Sequence, residues 1–196
     1  MKIVRAADCR TTPWKNGGGE TTEIAVAPVG ASFDDFDWRI SMARVASDGP
    51  FSEFAGIDRS LAVATGRGLA LTIGDAAVVL DGTSEPVRFA GDTPTSARLL
   101  AGPITDLNVM TRRGRFDHRL QRFSAAANCD FGDHDIAAIV APTGEVSLFA
   151  QQGAVRLMRG DAAVLTPAAD APCRIVPASA CYLVLLRKIR GQAGSA

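Results

Sequence analysis

Polar side chains embedded in apolar, strand-like runs are the first candidates for chemistry in this chain. In Asp106-Leu107-Asn108-Val109-Met110, an extended backbone sends Asp106, Asn108 and Met110 to one side and Leu107 and Val109 to the other. A buried carboxylate and a buried amide each need a partner, because leaving one unsatisfied in an apolar interior costs about 1–3 kcal/mol. Lys15, Arg39 or a bound ligand would supply it. The same alternation in Trp38-Arg39-Ile40-Ser41-Met42-Ala43 sets Arg39 and Ser41 opposite Trp38, Ile40 and Met42. Arg39 and Ser41 therefore either line a polar interior or face solvent, and alternation alone does not choose.

Two turn-rich segments add polar groups. In the first, Trp14, Lys15 and Asn16 lead into Gly17, Gly18 and Gly19, and Glu20, Thr21, Thr22 and Glu23 follow. Three glycines let the backbone approach a ligand or present amides to an anion. The GxxxxGK[ST] spacing is missing and a strand-like run follows, which excludes a P-loop and a dinucleotide fingerprint. A plain turn and a binding loop both fit. The second segment, residues 48–59, holds Phe51 and Phe54, suited to an apolar wall or lid, and ends in Arg59. Arg59 is expected to pair with Asp58 or Glu53, the alternative being a bidentate grip on a ligand carboxylate. Arg112, Arg113 and Arg115 read as a solvated loop.

The elements around these groups are strands. Runs at 23–27, 38–45, 60–64, 68–73, 76–80 and 97–100 are separated by glycine, proline and other turn residues, and helical periodicity is scarce, which predicts an all-β sandwich or barrel. Gly74-Asp75-Ala76-Ala77-Val78 recurs as Gly160-Asp161-Ala162-Ala163-Val164, an offset of 86 residues, between flanks of similar kind. This points to a duplication. Both tryptophans and the clustered polar residues fall in the first half, so function is sought there and the second half reads as scaffold.

Bulk properties bound the rest. Lysine plus arginine equals aspartate plus glutamate at 21 each, so no net field draws the chain to nucleic acid or an anionic membrane. The longest apolar stretches, 136–142 and 181–186, are far short of the roughly 20 residues that span a bilayer, and charges interrupt the N-terminus before a signal-peptide core can form. A cytoplasmic protein is expected. Cys9, Cys129, Cys173 and Cys181 form no CxxC pair, and His118 and His134 form no two-imidazole motif, so neither disulfides nor a metal are expected.

Four stretches taken in order resemble the HutD/Ves family of cupin-like proteins. They are Pro13 to Gly19 with Thr22-Glu23-Ile24-Ala25; Trp38 to Ala43; Gly49-Pro50-Phe51-Ser52 with Gly56-Ile57-Asp58-Arg59; and Asp106 to Met110 with Arg113-Gly114. The family often has Arg where this chain has Thr22 and Pro where it has Ala55, so a ligand contact through the former would be missing. The resemblance implies a bicupin, two cupin-like β-barrel halves packed together, without the usual metal histidines. It further implies a governor of histidine breakdown that binds a pathway metabolite such as urocanate.

Together these readings predict a first unit over 1–115 carrying the ligand site, with N-terminal strands able to swap into a second, mainly structural unit over 116–196. The expected protein binds a small carboxylate, urocanate or else formiminoglutamate or formylglutamate, with no metal or other cofactor. Lys15, Arg39 and Arg59 would supply cations, and Asn16, Ser41 and Asn108 hydrogen bonds. Trp14 or Phe51 would cover the apolar part, beside Gly17, Gly18, Glu23, Asp106 and Met110. The rival reading is an isomerase or hydrolase with Glu23, Asp106 and Lys15 as acid and base. Exposed edge strands favour a homodimer.

Overall fold

Strands with one apolar and one mixed face must stack in layers, and four antiparallel sheets do so here. The structure is a computed structural model and describes residues 1–151 and 153–190. A six-stranded sheet runs Arg10–Pro13, Gly19–Ala27, Trp38–Val45, Ile104–Arg112, Ile57–Thr65, Val87–Ala90 in spatial order. Against one face lies a four-stranded sheet of Gly49–Pro50, Thr95–Leu99, Leu69–Ile73 and Ala76–Leu80. Val45, Leu61, Val63 and Ile104 of the larger sheet share a buried cluster with Leu69, Leu71, Leu80 and Ala97 of the smaller one.

The same strand order recurs later in the chain. Phe116–Phe123, Cys181–Lys188, Ile136–Val140 and Ala162–Leu165 neighbour one another as Trp38–Val45, Ile104–Arg112, Ile57–Thr65 and Val87–Ala90 do. Ala127–Cys129, Cys173–Pro177, Val146–Ala150 and Gly153–Leu157 likewise repeat the four-stranded sheet. Strand starts correspond at Trp38 and Phe116, Leu69 and Val146, and Ile104 and Cys181, offsets of 77 or 78 residues. The pentapeptide echo at 86 is therefore out of register. Its first copy opens a strand of a four-stranded sheet and its second a strand of the five-stranded one. A Gly-Asp turn before a small-residue strand is generic turn chemistry and carries no topological address.

Lys2–Val4 leaves the first half and pairs antiparallel with Ala162–Leu165, completing the five-stranded sheet. Asp161 clamps this crossing, accepting from the Ala6 amide at 2.9 Å and from Arg5 at 2.6 Å. The five- and six-stranded sheets meet back to back. Trp38, Ile40, Leu107 and Val109 from one pack against Val140, Tyr182, Val184 and Leu186 from the other. The Tyr182 hydroxyl donates across this contact to the Val63 carbonyl at 2.9 Å. Beyond the strands, the described residues hold a 3-10 turn at Ala6–Asp8 and one short helix, Pro167–Asp170. No helix among them is long and apolar enough to cross a membrane.

Candidate functional site

The period-2 pattern of Trp38–Val45 decides which of its residues meet the small sheet. Trp38, Ile40 and Met42 pack into the contact between the two large sheets, which turns Arg39, Ser41, Ala43 and Val45 inward, toward the four-stranded sheet. On the adjoining strand Ile104, Asp106, Asn108 and Met110 share that inner face. Asn108 lies opposite both Ser41 and Leu61, and Met110 opposite both Arg39 and Arg59. Two guanidinium-bearing positions thus flank one central strand, with strand centres roughly 10 Å apart.

A β-bulge places Glu23, whereas Asp106 faces inward by plain alternation with Ile104 and Asn108. Register shifts between Glu23 and Ala25 against one neighbour, and between Thr105 and Asp106 against another. A bulge sends two successive residues to the same side and re-aims the next. Accordingly Ile24 and Ala25 both reach the inter-sheet core, while Glu23 points inward and accepts from Arg39 Nε at 2.9 Å. Arg39 also donates to Ser41 Oγ at 3.3 Å, and its guanidinium lies 4.7 Å from the centre of the Phe33 ring.

Arg59 is 3% exposed and sits among three aromatic rings, those of Phe51, Phe54 and Phe89, 5.2–5.5 Å from each centre. It donates to the Ser52 carbonyl at 3.1 Å, and its Nε has no partner. The expected pairing with Asp58 or Glu53 is not formed. Asp58 is drawn outward to Arg88 and Arg113, because alternation turns residues 58 and 59 to opposite faces. Asp106 is fully buried, and neither carboxylate oxygen closes a hydrogen bond of good geometry, the Ala43 amide giving it only weak support; Oδ1 of Asn108 lacks a partner as well. Burial pushes the Asp106 carboxyl up to about 7 against the opposing charge of Arg59. Burial pulls Arg59 down to about 10, against the attraction of Asp106 and with the repulsion of Arg39 adding to it. Buried donors and acceptors are thus left open on one inner face.

Aromatic rings close the outer end. The segment of residues 51–56 is stitched down by Phe51 N to the Thr95 carbonyl at 2.8 Å and Phe54 N to the Gly91 carbonyl at 2.7 Å. Gly91 is required there, since a Cβ would come within 2.9 Å of the Ile57 carbonyl and 3.0 Å of that of Phe54. Phe33, 55% exposed, stacks on Phe54 at 5.7 Å between centres.

The glycine-rich segment stands apart. Lys15, Asn16 and Gly17 are exposed, and Asn16 Oδ1 accepts from the Gly18 amide at 3.0 Å, so that amide is consumed within its own turn. Trp14 donates to Thr21 Oγ1 at 2.8 Å and packs beside the inner cluster. Glu23 therefore meets Arg39 and not Lys15. Thr22 lies on the face opposite Glu23, bonded to Thr11 at 2.8 Å, so an arginine there would start from the wrong side of the sheet. Ala55 is exposed. Met110 is packed with Phe36 and Ile57.

Phe33 and Phe89 escaped the sequence reading. Phe33 lies in a polar stretch without period-2 signal, and Phe89 in a strand too short to show one. Among the described residues no three His, Cys, Asp or Glu side chains cluster as metal ligands, and Cys9, Cys129, Cys173 and Cys181 are free thiols.

Paired sheets with polar groups on one inner face define an all-β, cupin-like protein. A cupin 2 conserved barrel domain protein from Leptotrichia buccalis superposes with a TM-score of 0.53 at 12% identity over 91% of this chain and 89% of that one, a likeness of fold. The sequence goes further, because a profile of the HutD family matches residues 6–183: the chain belongs to the HutD family. It is 37% identical over 134 residues, 65% of this chain, to an uncharacterized 21.2 kDa protein in the hutC 3' region of Pseudomonas putida, and 39% identical over 55% of this chain to Protein Ves of Citrobacter koseri. The matched stretches span 66% and 58% of those curated relatives' lengths. HutD from Pseudomonas fluorescens SBW25, solved in a formate condition, superposes with a TM-score of 0.83 at 31% identity, covering 97% of this chain and 99% of that one.

Proposed function

We propose that this protein is a bicupin, with units over 1–115 and 116–196, that binds a small carboxylate of histidine breakdown and governs that pathway in the cytoplasm as a homodimer. The observation that carries the reading is the set of open groups on one buried face: Arg59 Nε, both Asp106 oxygens and Asn108 Oδ1. Arg39 is balanced by Glu23, so with Asp106 protonated Arg59 leaves the site one positive charge. An anion fits that balance. Urocanate suits it in shape, its carboxylate directed to Arg59, its flat ring under Phe33, Phe51 and Phe54, and its ring N–H to Asn108.

Titration calorimetry with urocanate, formiminoglutamate and formylglutamate tests the proposal. Saturable binding is expected, with affinity reduced at least about tenfold in Arg59→Gln. Binding of the anion is also expected to weaken as pH rises through 7 and Asp106 gives up its proton, and to lose that pH dependence in Asp106→Asn. Absence of heat and of thermal shift at millimolar ligand sinks the reading. The position of Asp106 near neutrality favours a second reading, acid–base catalysis with Glu23 as the other group; Lys15, exposed on its own turn, takes no part. It predicts consumption of these compounds by pure protein, lost in Glu23→Gln with binding retained.

A further inference from the structure

The second half, read from sequence as scaffold, holds an open cavity of about 390 Å³. One wall is the inner face of Phe116–Phe123 and Cys181–Lys188, and the other is the loop of residues 128–134. Those two strands are the counterparts of Trp38–Val45 and Ile104–Arg112, so the cavity occupies the same topological place as the first site. Register gives the exchanges. Asn108 opposite Ser41 becomes Leu185 opposite Arg119, and Asp106 opposite Ala43 becomes Leu183 opposite Gln121. The buried acceptors of the first site are thus replaced by apolar side chains, and a cation enters from the neighbouring strand.

The resulting chemistry is simple. Leu183, Leu185, Phe123 and Phe131 form an apolar floor, and Arg119 and Gln121 stand over it with no hydrogen bond or ion pair among the described residues. The acids of the opposite wall are committed elsewhere. Asp130 accepts from the Gly132 amide at 2.9 Å, and Asp133 is held by Arg187 at 2.6 Å. His134 donates through Nδ1 to the Phe131 carbonyl at 2.9 Å, which fixes the loop against the floor. A volume of this size lies within the roughly 300–1,000 Å³ of small-molecule pockets.

We propose that the cavity between Phe116–Phe123, Cys181–Lys188 and the 128–134 loop is a second binding site, selective for a small monocarboxylate with an apolar body, its carboxylate on Arg119 and Gln121. The guanidinium, which meets a carboxylate bidentately, supplies affinity and orientation, and the nearly buried floor shapes the site. The site does not depend on the first one being occupied or on what occupies it.

The test is calorimetric titration of the full chain with 3-phenylpropanoate and with its uncharged amide, in the wild type, Arg119→Gln and Arg59→Gln. Arg119 is exposed, so its replacement leaves the core intact. The expected result is saturable binding of the acid that is weakened at least about tenfold in Arg119→Gln, retained in Arg59→Gln, and at least about tenfold tighter than that of the amide. Urocanate run in parallel reports on the first site alone if it is insensitive to Arg119→Gln, so the two readings fail separately. Acid binding lost in Arg59→Gln but kept in Arg119→Gln, an amide that binds as well as the acid, or no saturable binding up to about 10 mM overturns the proposal.

Discussion

Asp106 is fully buried with both oxygens unpartnered, so its ionised form is opposed by the fold and its carboxyl titrates near 7 in place of 3.8. A folded pKa above the unfolded one means stability that is complete below about pH 4 and lost as pH rises to about 7. Asp106→Asn removes this penalty with little change of volume. It should therefore be more stable than wild type by about 2–4 kcal/mol at pH 8 and nearly equal at pH 4, as read from urea unfolding at both values. Equal stability at pH 8 would show that water or a counter-charge satisfies Asp106 in solution. A gain at pH 8 would mean that the residue is kept at the expense of stability, as site residues often are.

At the scale of elements, the site depends on the bulge after Glu23 and on two aromatic segments. Phe54 and Phe51 stay over Arg59 because residues 51–56 are tied to Gly91 and Thr95. Gly91→Ala should force the Ile57 and Phe54 carbonyls apart, lowering stability by about 1–3 kcal/mol and weakening urocanate binding with it. Phe33 behaves differently. Being half exposed, Phe33→Ala should change unfolding free energy by less than about 0.5 kcal/mol, yet raise the urocanate dissociation rate several-fold in stopped-flow experiments. A variant that lost stability but kept its dissociation rate would assign Phe33 to the fold and not to a cover.

Across the whole molecule, the halves are joined by the back-to-back sheets and by His118. This buried imidazole bonds with Thr111 at 2.7 Å through Nδ1 and with Ser60 at 2.8 Å through Nε2, linking a strand of the second half to two strands of the first. Burial, with the Arg88 charge adding to it, lowers His118 from 6.5 to about 4. A depressed folded pKa contributes stability that is present above pH 6.5 and lost as pH falls toward 4, about 3 kcal/mol in all. Asp106 has the opposite slope over the same window, so the wild-type profile between pH 4 and 7 should be shallow. Asp106→Asn should unmask a steep loss on acidification, and His118→Gln a rise; parallel profiles in the three proteins would remove His118 from this account. Outside, Arg113, Asp58, Arg88, Asp117 and Arg187 form a chain of exposed ion pairs across the same junction, each worth little and screened by salt.

Alternation along 38–45 and 104–112 is a property of the chain itself, and it named Arg39, Ser41, Asp106 and Asn108 as one-sided groups before any contact was known. The family was legible for the same reason, since its motifs are contiguous in sequence. The recurring strand order was legible only as a suspicion, because it repeats at 77 or 78 residues and the five-residue turn that hinted at it repeats at 86. The partners of the polar groups were not legible at all. Whether Arg39 finds Glu23 or Lys15, whether Arg59 meets Asp58 or three phenylalanines, and whether Arg119 stands over an apolar floor depend on bulges, register and sheet stacking. Those are set by packing among residues distant in sequence, which local pattern cannot encode.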